Sequence, residues 1–299
     1  MKSRWIRTVV LVLVLCGASF AAAQSPQKPG EVRRDLLVST AWLAEHLRDP
    51  HLVLVHVGGS VGDYQVAHIP GARYLAAEKF IDTHAKTPAE LLPVEQIKAN
   101  LEEIGVGDDS RIIFYAPDWD PIATRLFFTL DYIGHGDQSA LLDGGMDQWL
   151  HEKRATPAET PKFERGSLTL HLHPEVLVKL DAMKQMTAGT DGNVAIVDSR
   201  PFKRYRSGHL AGAAPLFWEL GLVSAETPVL KSPDELRKLL AERGVTAGKK
   251  VVSYCEVGYQ ASHTYFLARY LGMPAAMYDG SYNEWTAEKQ PVVRGEAPR

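Results

Sequence analysis

The chain has 299 residues, of which 45% are hydrophobic and 23% are charged, with 33 basic and 36 acidic side chains and a formal net charge of −3. This composition is typical of a folded globular protein and excludes a disordered chain. The small acidic excess argues against nucleic acid as a partner. The length predicts about two domains.

Residues 1–23 have the features of a secretory signal peptide. Three basic residues precede an apolar segment at 8–20, and three alanines form a small-residue cleavage site before Gln24. The apolar segment is shorter than the roughly 20 residues that a transmembrane helix needs, so no stable membrane anchor is expected after cleavage. We therefore expect export, to the periplasm, of a 276-residue chain with a formal net charge of −6.

The exported chain contains one pattern twice, at an offset of 136 to 141 residues. Each copy has a helix-like segment, a strand, a His-x-x-Gly-Ala motif, a central strand followed by a helix, and an Asp-Gly-x-x-x-x-Trp close. The helix-like segments are 39–47 and 175–186, the first strands 52–57 and 194–198, and the central strands 111–115 and 250–254. The duplication predicts a first domain at 35–150, a linker at 151–167 and a second domain at 168–290.

Strands and helices alternate in both copies, which predicts an α/β fold with a parallel sheet flanked by helices in each domain. Functional sites of such sheets lie at the carboxyl ends of the strands. Cys255 directly follows the second central strand, whereas Ala116 stands at the equivalent position of the first. The pattern therefore predicts a chemically active second copy and an inactive first one.

Cys255 is the expected nucleophile. Gly258 can adopt backbone conformations that turn successive N–H groups toward the sulfur, and the helix that follows adds a partial positive charge. Both effects predict a thiol pKa below its ordinary value near 8.5. A buried structural cysteine is the alternative. Because exported proteins normally use cysteines in pairs, the single remaining thiol favours a reactive role.

These motifs resemble those of the tandem-domain rhodaneses, a family of thiosulfate and 3-mercaptopyruvate sulfurtransferases whose second domain carries the cysteine. The resemblance covers nearly all of the exported chain. It implies two tandem rhodanese-like domains and a double displacement, in which Cys255 takes a sulfane sulfur from a small donor as a persulfide and passes it to cyanide, a thiol or a protein acceptor. It implies no metal and no organic cofactor. It also implies an active-site loop in which backbone N–H groups hold the persulfide, formed by Glu256, Val257, Gly258, Tyr259 and Gln260.

Arg200 and Arg204 match the family's arginines near the site. They are candidates for binding an anionic donor, and the alternatives are an internal ion pair between Arg200 and Asp198 and a solvated Arg204. His209 has a counterpart, His68, in the inactive copy, which favours a structural role for both.

The loop departs from the family pattern at Glu256 and Val257, where thiosulfate-preferring members carry two cations and mercaptopyruvate-preferring members carry Gly and Ser. A carboxylate at that position would repel a dianionic donor and oppose thiolate formation unless it faces solvent. The sequence therefore does not decide between the two donors.

Three further functions are weighed. A cysteine phosphatase needs an arginine six positions after the cysteine, where this chain has Ala261. A non-catalytic sulfur carrier would use the same cysteine and stays open. Metal capture by Cys255 and His263 would provide too few ligands for a defined site.

Overall fold

The computed structural model describes residues 30–84, 89–157, 159–189, 191–224 and 228–297. The signal peptide expected at 1–23 lies outside these residues. Within the described ranges, no helix is both long enough and apolar enough to cross a bilayer.

The first half is built around a five-stranded parallel sheet. The strands of this half are β1 (Leu37–Val38), β2 (Leu52–Val57), β3 (Arg73–Leu75), β4 (Ile81–Asp82), β5 (Glu90–Leu91), β6 (Arg111–Tyr115) and β7 (Ser139–Leu142). Its α-helices are α1 (Thr40–His46), α2 (Val61–Val66), α3 (Val94–Glu103), α4 (Ile122–Tyr132) and α5 (Gly145–His151). The sheet order is β1-β7-β6-β2-β3, and β4 and β5 form a separate antiparallel pair.

The second half repeats this sheet. Its strands are β8 (Leu177–Val178), β9 (Val194–Asp198), β10 (Ala214–Pro215), β11 (Lys250–Tyr254) and β12 (Ala275–Tyr278), and its α-helices are α6 (Leu180–Ala188), α7 (Phe202–Ser207), α8 (Pro233–Ala241), α9 (Tyr259–Tyr270) and α10 (Ser281–Ala287). The parallel order β8-β12-β11-β9-β10 matches that of the first sheet strand for strand. The predicted fold class and the duplication are therefore confirmed.

Apolar runs explain the central strands, because parallel strands covered on both faces by helices read as continuous hydrophobic segments. In β2, β6 and β11 every residue after the first is buried. Side-chain caps set several helix starts. Ser39 accepts a hydrogen bond from the N–H of Trp42, and Ser232 forms a capping box with Glu235.

The two halves pack together along α4 and α9. Phe127 of α4 meets Phe266 of α9 edge to face, with 5.0 Å between ring centroids, and Phe128 meets Tyr265 in the same way at 5.1 Å. These residues belong to one apolar core that continues from one half into the other. Because the sheets share this core, groups from the first half can reach the site of the second.

One expectation about the start of the second half needs correction. The segment 175–186 is not one helix, because Leu177 and Val178 pair with β12 and α6 begins only at Leu180. Pairing with a neighbouring strand outweighs local helical propensity there. The linker expected at 151–167 contacts the first half, since Gly166 donates its N–H to the Glu102 carbonyl of α3.

Candidate active site

Cys255 lies at the carboxyl end of β11, in the centre of the second sheet. Its thiol is free and the residue is only 1% exposed. The loop that follows ends at Gly258, because α9 already begins at Tyr259. Tyr259 and Gln260, expected in a six-residue loop, therefore form the first turn of the helix.

Backbone N–H groups surround the sulfur. Gly258 has a φ of +91°, and its N–H donates to the Cys255 Sγ at 3.1 Å. The backbone N–H groups of Val257, Gln260 and Ala261 also lower the pKa of this thiol. Of the loop amides expected around the sulfur, those of Val257, Gly258 and Gln260 act on it, as does that of Ala261 in the helix, whereas that of Glu256 is not among them.

The expected low pKa of Cys255 is wrong for the resting thiol. Burial raises this pKa, and the four amides lower it by less than burial raises it, so the net change is upward. The reason is that a fully buried thiolate loses its hydration, and four neutral dipoles only partly replace that hydration. The site is therefore built to hold a sulfur anion once one has formed, while the free thiol is mostly protonated at neutral pH.

The start of α10 supports the loop from the other side. Ser281 Oγ accepts the Cys255 N–H at 3.2 Å and donates to the Tyr278 carbonyl at 2.9 Å. The N–H of Tyr282 donates to the Cys255 carbonyl at 3.0 Å. Sequence reasoning noted the Asp-Gly-x-x-x-x-Trp motif that contains Ser281 but assigned it no function, and this contact is what the motif contributes.

Arg200 forms an internal ion pair. Its guanidinium donates to Asp198 with Nη2 to Oδ2 at 2.7 Å and Nε to Oδ1 at 3.0 Å, and Nη2 also donates to the Gly208 carbonyl at 2.6 Å. The guanidinium lies over the Tyr282 ring, 3.8 Å from its centroid. Burial alone would lower the pKa of Arg200, but the hydrogen bonds and charge of Asp198 outweigh it and raise the pKa further. This geometry favours the structural interpretation of Arg200.

Glu256 turns toward Arg200. Its Oε2 lies 3.4 Å from Nη1 of Arg200, and its side chain is 42% exposed. The carboxylate is therefore partly compensated by a cation and partly hydrated, which weakens the repulsion expected from it. Val257 packs partly buried against the core of the second half.

Arg204 lies exposed in the last turn of α7. It forms no ion pair with any residue in the part of the chain that the structure describes. Its charge is thus free for a solute at the surface, and its role in donor binding stays a prediction.

The histidines of the two His-x-x-Gly-Ala motifs have structural roles. His209 stacks on Tyr205 with 3.8 Å between ring centroids, and its Nδ1 bonds the Tyr205 carbonyl at 3.0 Å. His68 makes the same pair of contacts with Tyr64 in the first half. His263 is buried in α9 against Trp218, and burial lowers its pKa to about 3.

A family model for the rhodanese-like domain matches this chain twice, at residues 39–152 and 180–288. The chain belongs to the rhodanese family. Both rhodanese domains fall on the two sheets described above, and Cys255 lies in the second match.

Relatives of this rhodanese chain carry sulfur-transfer names. It is 28% identical to "Sulfur carrier protein TtuD" of Thermus thermophilus, over 89% of this chain and 99% of that protein. It is also 28% identical to the "Thiosulfate sulfurtransferase" of Pseudomonas aeruginosa, over 84% and 93%. Among solved structures, the 3-mercaptopyruvate sulfotransferase SseA of Escherichia coli superposes with a TM-score of 0.73 and 26% identity, covering 83% of this chain and 98% of that one.

Proposed function

We propose that this protein is a sulfurtransferase that moves a sulfane sulfur from a small donor such as thiosulfate to a thiophilic acceptor through a persulfide on Cys255. The observation that carries the proposal is the Cys255 sulfur itself, which is buried at the carboxyl end of β11 and receives backbone N–H groups, with Gly258 at 3.1 Å. Oriented amides in a water-poor site stabilise a sulfur anion more than they do in water.

The reaction is a double displacement. The Cys255 thiolate attacks the outer sulfur of the donor, an S–S bond forms, and the bond between the two donor sulfurs breaks so that sulfite leaves with its electron pair. The acceptor, cyanide or a thiol, then attacks the terminal sulfur of the persulfide, and the thiolate leaves. In both steps the negative charge lies on a sulfur next to the Val257, Gly258, Gln260 and Ala261 amides.

The donor is tested by intact mass. The protein is exposed to thiosulfate and, separately, to 3-mercaptopyruvate, and cyanide is added last. We expect a gain of one sulfur atom on Cys255 that cyanide removes, and no gain in Cys255→Ser, whose thermal unfolding should stay within about 1 kcal/mol of the wild type. If Cys255→Ser turned over at the wild-type rate, the persulfide mechanism would be wrong.

A sulfur carrier is the second candidate, favoured by the likeness to TtuD over almost the full length of both proteins. A carrier would hold the persulfide on the same cysteine and release it to a protein acceptor. The same mass experiment separates the two. A persulfide that forms but resists cyanide and small thiols supports the carrier.

We further propose that residues 1–23 direct the protein to the periplasm. Support comes from the order of basic, apolar and small residues in the sequence. Cell fractionation with N-terminal sequencing tests this. A mature chain that starts at Gln24 in the periplasmic fraction is expected, and an intact Met1 in the cytoplasmic fraction would contradict it.

A further inference from the structure

A buried arginine of the cysteine-free half reaches the second half behind the Cys255 loop. Arg125 of α4 is fully buried. Its Nη2 lies 2.5 Å from Oδ1 of Asp279, in the second half, and donates to the Ala89 carbonyl at 2.7 Å. A buried guanidinium needs a counter-charge and hydrogen bonds. Asp279 and the Ala89 carbonyl supply them here, while Arg125 Nε and Asp279 Oδ1 have no hydrogen-bond partner among the described residues.

The same guanidinium lies close to the loop that holds the sulfur. Its Nη1 lies 3.1 Å from the position that a Cβ on Gly258 would occupy, and Asp279 Oδ1 lies 3.3 Å from that position. Gly258 is the residue that donates its N–H to Cys255 Sγ. The Arg125–Asp279 pair therefore lies directly beside the residue that supplies this donor.

The pair also supports the other end of the loop. Asp279 stands two residues before Ser281, whose Oγ accepts the Cys255 N–H. Asp279 Oδ2 in turn accepts the N–H of Leu91 from β5 of the first half, at 3.1 Å. The Gly258 and Ser281 hydrogen bonds to Cys255 thus both lie beside one ion pair that spans the two halves.

We propose that Arg125 is a positioning residue for sulfur transfer, through which the first rhodanese domain holds the Cys255 loop of the second. The inference rests on the proposed function and gives the domain without a cysteine a part in the reaction. Without the guanidinium, Gly258 loses its support and the Asp279 carboxylate is left unpaired beside it. Both changes disfavour an anion on Cys255.

A matched control lies in the same interface. Arg269 of α9 pairs with Asp131 of α4, with Nε 2.9 Å from Oδ2. This pair also joins the two halves, here α4 to α9, but Arg269 is eleven residues beyond Gly258, which is roughly 16 Å along a helix. Its loss weakens the interface without touching the loop.

The test measures the pH dependence of Cys255 alkylation by iodoacetamide in the whole chain, before any donor is added. We expect Arg125→Gln to slow alkylation at pH 7 at least tenfold and to move the midpoint up by at least one pH unit. Arg125→Lys, which keeps the charge but not the fork of donors, should slow it about threefold. Arg269→Gln should stay within twofold of the wild type. In the Arg125 variants, the rate of sulfur loading at saturating donor should fall in parallel with the rate of alkylation, while the half-saturating donor concentration stays within twofold of the wild type.

Unchanged alkylation in both Arg125 variants, or an equal change in Arg269→Gln, would overturn the proposal. If Arg125→Gln fails to fold, Arg125→Lys decides. The alkylation profiles need no sulfur donor, so a wild-type protein that never acquires sulfur would refute the proposed function and still leave the role of Arg125 measurable.

Discussion

Replacing Arg200 tests whether its guanidinium stabilises the second half or binds the donor. Asp198 is completely buried, and its carboxylate receives the Arg200 guanidinium, the Arg200 backbone N–H at 3.0 Å and the Tyr254 hydroxyl at 2.7 Å. In Arg200→Gln the charge of Asp198 stays buried without a counter-ion. We expect a loss of about 3–5 kcal/mol in the free energy of unfolding, the usual cost of removing one partner of a buried pair.

The assay combines urea unfolding with steady-state kinetics on the donor, and Arg204→Gln is the control. Arg204 is exposed, so its replacement should change the free energy of unfolding by less than about 0.5 kcal/mol. Asp198→Asn combined with Arg200→Gln removes both charges and should recover part of the loss. An Arg200→Gln protein that lost less than about 1 kcal/mol but needed tenfold more donor would refute this reasoning, because the guanidinium would then serve the substrate.

Three further results are expected. Glu256→Lys should raise kcat/KM for thiosulfate about three- to tenfold at low salt, because a half-exposed carboxylate at the loop is replaced by a cation. Glu256→Gln should give a value between those of the wild type and Glu256→Lys. No change in either variant would mean that the side chain does not face the donor. The rate of sulfur loading should rise about tenfold per pH unit between pH 6 and 8, since burial raises the pKa of Cys255 and the thiolate is the nucleophile; a flat profile would contradict this. Burial, with a smaller contribution from the charge of His68, lowers the pKa of His56 to about 4. Below pH 6.5 the unfolded chain therefore binds a proton at this residue that the folded chain does not bind, and about 2 kcal/mol of the free energy of unfolding should be lost by pH 5. The urea midpoints of His56→Gln should not show this loss.

The sheets could be predicted because their information is local. The strands 52–57, 111–115, 194–198 and 250–254 agree residue for residue with the structure. Hydrophobic runs bounded by turns define such strands in the sequence itself. The two-residue strand β8 was missed because its pairing partner lies about 100 residues away in β12, and nothing local marks it.

The site could be predicted only where one copy of the repeat contains it. Cys255 was found from the strand–loop–helix pattern, and its amide donors from Gly258. The pKa was wrong because the cost of desolvation depends on burial, which the whole packed domain sets. Arg125 was missed because it comes from the other half, 130 residues earlier in the chain, and no sequence spacing places it beside Gly258.

The carboxyl ends of β2 and β9 occupy equivalent places in the two halves but carry different functional groups. His56 pairs in register with Tyr115 as Asp198 does with Tyr254. Both tyrosine hydroxyls accept a backbone N–H from the His-x-x-Gly-Ala motif that precedes them in their own half, at 3.0 and 3.1 Å. The scaffold is therefore the same in both halves.

The chemistry differs at three positions of this shared scaffold. Ala116 replaces the cysteine, His56 replaces Asp198, and Gly58 stands where Arg200 would be. In the second half these groups are physically connected, because Arg200 lies over the Tyr282 ring and the Tyr282 N–H holds the Cys255 carbonyl. A buried carboxylate and guanidinium stabilise little by themselves relative to apolar residues. The Asp198–Arg200 pair is present in the half that carries the thiol and replaced in the half that lacks it, and through Tyr282 it contacts the cysteine loop in addition to stabilising the second half.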